Sequence, residues 1–152
     1  MKKILYLIIL ITFTLAGCED GFVSYEKENV IESLEVLSFE PEIPDKIPFT
    51  PTDIKVMVGD LGGKQKSYMA VKFINKKGRE ITFRAIRHPN GLDFTDETVK
   101  IEENLEGRYG DQNDTKLLKW DKDGVYYEVF ADSDFTSKKE LIKIAEISYK
   151  VN

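Results

Sequence analysis

Two short polar turns, each ending in glycine and flanked by alternating apolar and polar residues, constrain this 152-residue chain more than any other feature. Asn75-Lys76-Lys77-Gly78 separates residues 68–74 from 80–86, and Asp121-Lys122-Asp123-Gly124 separates 117–120 from 125–131. Such loops join antiparallel strands, because glycine and Asp-Gly accept the left-handed backbone of a tight hairpin. Ile81, Phe83 and Ala85 alternate with Glu80, Thr82 and Arg84, the pattern of a sheet with one wet face. In the second hairpin Val125, Tyr127 and Val129 alternate with Tyr126, Glu128 and Phe130, so both faces carry apolar weight and each needs a cover.

Ile54, Val56 and Val58 form a further strand that stops at Gly59-Asp60-Leu61-Gly62-Gly63, and residues 98–102 add a short one. Upstream, Pro41, Pro44, Pro48 and Pro51 fall within eleven residues, which excludes helix and favours an extended arm across the sheet. At the other end Ser137 and Glu140 have capping-box spacing, and Leu141, Ile144, Ala145 and Ser148 recur at helical intervals, predicting one amphipathic helix from Lys138 to about Tyr149. The fold class expected is α+β, an antiparallel sheet of about five to six strands with one C-terminal amphipathic helix packed on it.

The first residues read differently. Lys2 and Lys3 precede an apolar run over 4–15 that is too short to cross ~30 Å of hydrocarbon and has the form of an export signal. Leu15-Ala16-Gly17-Cys18 resembles the bacterial lipoprotein box: an aliphatic residue, two small residues and a lipid-accepting thiol. That resemblance implies cleavage between Gly17 and Cys18, diacylglyceryl transfer to the Cys18 sulfur, and a mature protein moored to the extracytoplasmic face of the cell membrane. Three segments follow: a signal peptide over 1–17, a tether over 18–37 and one α+β domain over 38–152. A short helix over 29–36 is the alternative within the tether.

Cleavage would remove two lysines and leave 20 basic residues against 27 acidic ones. An acidic body disfavours nucleic acid as a partner. One Cys and one His exclude a disulfide framework, a Cys-rich zinc site and a Cys/His catalytic pair.

The order of Phe39, Pro44 and Pro48-Phe49, the turn at 75–78, Trp120-Asp121-Lys122-Asp123-Gly124-Val125-Tyr126-Tyr127 and Leu141-Ile142-Lys143-Ile144-Ala145-Glu146 resembles the domain-of-unknown-function family numbered forty-three sixty-seven, over about residues 38–150. The resemblance implies lipoproteins or membrane-bound proteins of spore-forming Gram-positive bacteria, and no known reaction.

No residue set stands out for catalysis, metal or cofactor binding. His88 lies in the turn-rich stretch 87–91 with no partner His or Cys. The acidic residues Asp93, Asp96, Glu97, Glu102, Glu103, Glu106, Asp111 and Asp114 crowd one window without the spacing of a calcium loop, and a solvated acidic face explains them. Trp120, Tyr126, Tyr127, Phe130 and Tyr109 serve either as core or as a binding platform. The function expected is therefore a non-catalytic interaction module that meets an envelope protein. The alternative is a carrier or sensor of a hydrophobic ligand, holding it in a sheet–helix groove lined by Phe83, Val129 and Ile144.

Overall fold

The computed structural model describes residues 21–61, 63–88 and 93–151. The apolar run, Gly17 and Cys18 lie outside the described residues.

The antiparallel hairpins form, and more strands join them than the alternation alone reveals. One sheet has seven strands: β2 (Asp53–Leu61), β3 (Lys64–Ile74), β4 (Glu80–Ile86), β5 (Glu97–Glu102), β6 (Leu105–Gln112), β7 (Thr115–Lys122) and β8 (Val125–Asp132). A second, two-stranded sheet pairs β1 (Glu42–Pro44) with β9 (Ser148–Lys150). The expectation of five to six strands falls short for a physical reason. Strand β6 carries Gly107 and Gly110 where a sequence reading looks for β-branched residues, and β1 and β9 have only three residues each.

Spatial order in the large sheet is β2-β3-β4-β8-β7-β6-β5, every neighbour antiparallel. Two meanders thus meet at β4 and β8, and the chain from β4 to β5 must travel from the middle of the sheet to its far edge. The β7–β8 turn is tighter than the four residues expected: Asp121 and Lys122 stay in the ladder, and Asp123 and Gly124 turn the chain with φ of 55° and 73°.

Register sorts the side chains onto two faces. Phe73, Ile81 and Ala131 form one cross-strand row, Val71, Phe83, Val129 and Leu118 the next, and Ala85, Tyr127 and Trp120 a third. All are buried, and they pack against Leu141, Ile144 and Ala145 of α2 (Lys138–Glu146). The capping box at Ser137 and Glu140 is present. The helix stops three residues earlier than expected, because residues 148–150 leave it to pair with β1, while Ser148 Oγ donates to the Ile144 carbonyl at 2.8 Å.

The proline arm lies on this same core face: Ile43 and Ile47 are wholly buried in the cluster with α2. Phe83, Val129 and Ile144 are also wholly buried, so the places expected to line a sheet–helix groove are filled by packed core. Of the expected platform, Trp120, Tyr127 and Tyr109 belong to that core, with the Trp120 and Tyr127 rings stacked at 5.2 Å.

Residues 22–37 take the helical alternative. Helix α1 spans Glu28–Leu34 and inserts Val30, wholly buried, into the core. Val23 pairs with Ile47 in an antiparallel bridge, and Tyr25 meets the Phe73 ring edge-on at 4.8 Å. The packed body therefore begins near Phe22 rather than at residue 38.

Candidate binding site on the open face

Among the described residues no helix covers the opposite face of the sheet. Its central row reads Met57, Ala70, Arg84, Glu128, Lys119 and Arg108 across six strands, each residue the register partner of the next. Strand geometry thus sets Arg84 and Lys119 on either side of one carboxylate, with Arg108 one strand further on. Glu128 is 2% exposed; its Oε2 lies 3.3 Å from Arg84 and its Oε1 3.9 Å from Lys119. Burial on this scale is tolerated because opposite charges flank the carboxylate on both neighbouring strands. Arg84 also stacks its guanidinium on the Phe130 ring at 4.3 Å.

Residues 93–95, just ahead of β5, form a rim. Asp93 Oδ1 accepts from the Thr95 amide at 3.1 Å and from its hydroxyl at 2.5 Å, a local turn that fixes the chain. These two bonds, the hydroxyl's first, hold the Asp93 carboxyl below its ordinary pKa, with Lys119 adding to the effect. Arg108 donates to the Thr95 carbonyl at 2.7 Å. Beneath this rim lies Gly110, where a Cβ would fall 2.3 Å from the Phe94 carbonyl oxygen, so the close approach of rim and sheet requires glycine.

Between rim and sheet is a cavity of about 310 Å³. Ile86 and Tyr126 give it apolar wall; Glu106, Arg108, Lys119 and Asp121 give it charges of both signs. Its size sits at the lower end of the range for small-molecule sites. A ligand or peptide segment with its own donors, acceptors and a modest apolar group would match this lining.

The sequence reading found that both faces of β8 needed covering, and the structure assigns the second cover to residues 93–95 and to this cavity. It did not find the Arg84-Glu128-Lys119-Arg108 row, because a cross-strand row is invisible until register is known. Tyr126 and Phe130 do lie on the open face, 37% exposed and half-buried respectively. His88 is half-buried at the end of β4 and does not line the cavity. The crowded acids disperse onto different partners: Glu97 meets Lys138, Glu102 lies 3.7 Å from Lys122, and Asp111 accepts from Ser133 at 2.6 Å. Among the described residues no three His, Cys, Asp or Glu side chains converge on a metal-sized site, and no helix is long and apolar enough to cross a membrane.

The family model described as Domain of unknown function (DUF4367) matches residues 62–147, more than half of the chain. The chain belongs to this family. No curated protein and no solved structure matches it. The family's matched span runs from the β2–β3 turn to the end of α2, and so contains the charged row, the rim and the cavity.

Proposed function

We propose that the protein is a lipid-anchored, extracytoplasmic, non-catalytic interaction module whose open-face cavity receives an exposed segment of an envelope protein. The observation that carries this reading is the asymmetry of the sheet. One face is closed by α1, α2 and the proline arm, while the other keeps a charged, half-apolar cavity under a braced rim. The Leu15-Ala16-Gly17-Cys18 box supports the anchor, and its thiol is the lipid acceptor.

Mixed charge in the cavity favours a polypeptide over a purely hydrophobic ligand, since Arg108 and Lys119 line it together with Glu106 and Asp121. A photo-crosslinking amino acid at Tyr126 tests the reading on intact cells. The expected result is a discrete adduct with one envelope protein, absent when the same probe replaces Met57 at the far end of the row. Equal, diffuse labelling from both positions would remove the cavity from the interaction. Cys18→Ala tests the anchor separately: the protein should leave the membrane fraction or accumulate as precursor.

A further inference from the structure

The bridge between Val23 and Ile47 fixes where the N-terminal chain enters the body. Val23 N–H donates to the Ile47 carbonyl at 2.8 Å and Ile47 N–H to the Val23 carbonyl at 3.0 Å. Because the pairing is antiparallel, the chain traced backward from Val23 runs in the direction of Pro48 and Phe49. Those residues lead to one particular end of the sheet: Arg79, which borders the β3–β4 turn, donates to the Pro48 carbonyl at 3.2 Å and lies 5.0 Å over the Phe49 ring.

That end has a distinctive surface. Lys76 and Lys77 are exposed at the turn, and they share a depression with Thr50 and Phe135, the latter 54% exposed. Thr50 also borders a depression lined by Ser24 and Tyr25, so this surface is continuous with the entry strand. Asp134 lines the same depression and Glu26 the adjoining one, while Asp53, Glu80 and Asp132 sit at strand ends on this side, so Lys76 and Lys77 are cations among dispersed acids rather than part of a uniformly basic patch. The opposite end of the sheet carries Glu102, Glu103 and Glu106 around the β5–β6 turn, with Asp121 and Asp123 near the β7–β8 turn.

Only five residue steps separate Cys18 from Val23, a reach of at most ~18 Å in any conformation. Seven strands spaced ~4.8 Å apart span ~29 Å, so this tether is shorter than the sheet is wide. A lipid on Cys18 therefore restricts which surface can meet the bilayer. Resting on the anchor proposed above, we infer that the end bearing Lys76, Lys77 and Phe135 docks on the outer leaflet, with the lysines at anionic headgroups and the Phe135 ring at the acyl boundary. The acidic end and the cavity, lined by Ile86, Asp121 and Tyr126 in the other half of the strands, then point away from the membrane.

The test uses the full chain made in bacterial cells, extracted and reconstituted into vesicles of phosphatidylglycerol and phosphatidylcholine. Phe135→Cys and, separately, Glu103→Cys receive a polarity-sensitive thiol probe, and quenching by doxyl-labelled lipid is read. The expected result is several-fold stronger quenching at 135 than at 103, reduced when Lys76 and Lys77 are both changed to Glu. Vesicle-bound protein quenched equally at both positions would overturn the docking while leaving the anchor standing. A parent chain whose own Cys18 takes up the probe and which fails to float with vesicles would overturn the anchor and the docking with it. Both introduced thiols replace exposed side chains, so folding of the variants is expected to match that of the parent.

Discussion

Gly110 and Trp120 show how much a single position decides here. Gly110→Ala would set a Cβ against the Phe94 carbonyl, and because backbone cannot swing aside as a side chain can, residues 93–96 must lift. The cost expected is ~1–3 kcal/mol of overpacking, with faster amide exchange confined to the rim. A variant with an unchanged urea midpoint and unchanged exchange would mean that the rim is not seated on β6. Trp120 is 4% exposed, stacked on Tyr127 and edge-on to Phe83 at 6.1 Å. Trp120→Ala should cost ~3–5 kcal/mol in urea unfolding, and Trp120→Phe less, since the ring stack survives. At this scale the sequence is legible where one residue type has one use: Ser137 caps the helix that its spacing predicts, and an Asp-Gly pair turns the chain between β7 and β8, although the turn is two residues shorter than its polar stretch suggests. It is not legible at Trp120, where an aromatic serves equally as core or as platform until register assigns its face.

Elements with their own local signature were found, and elements defined by their neighbours were not. Helix α2 announces itself by cap and stripe; β6 does not, because its glycines answer to Phe94, Ile101 and Lys119, residues on other segments. The cap also makes a pH-dependent contribution. Burial raises the Glu140 carboxyl pKa, but the Ser137 amide at 2.6 Å and the Arg79 guanidinium at 2.8 Å outweigh it, so the folded value lies below the ordinary 4.5. A depressed carboxyl contributes its stability above the unfolded pKa and loses it as pH falls through the folded one. Glu140→Gln should therefore flatten the fall in stability as pH drops below the ordinary carboxylate range while lowering stability at neutral pH. Ser137→Ala should cost ~1 kcal/mol at neutral pH by removing the reciprocal bond. Parallel pH–stability curves for Glu140→Gln and the parent would show that another carboxylate governs the acid limb.

The whole molecule closes its core with segments that the family's matched span leaves out. Residues 62–147 contain seven of the eleven elements among the described residues, yet Val30 of α1, Ile43 of β1, Ile47 and the entire β2 edge lie before them, and β9 after. Val30, Ile43 and Ile47 are each at 0% exposure. Burying side chains of this size stabilises by ~1.5–3 kcal/mol apiece, so losing all three removes a large share of a total of ~5–15 kcal/mol. A boundary at residue 38 was the natural reading of a charged, apolar-poor stretch, because Val23, Tyr25 and Val30 are spaced too widely to display a period of 2 or 3.6. A chain beginning at residue 21 should accordingly melt cooperatively with the stability of the full chain. One beginning at residue 38 should lose several kcal/mol through the missing Val30 and the lost edge contact of Tyr25 with Phe73. The isolated span 62–147 should show no sharp thermal transition and poor amide dispersion by NMR. Equal melting temperatures for the chains starting at 21 and 38 would place α1 outside the cooperative unit. Residues 22–37 would then be free to extend, and the proposed membrane tether would be longer than the five residue steps counted from Val23.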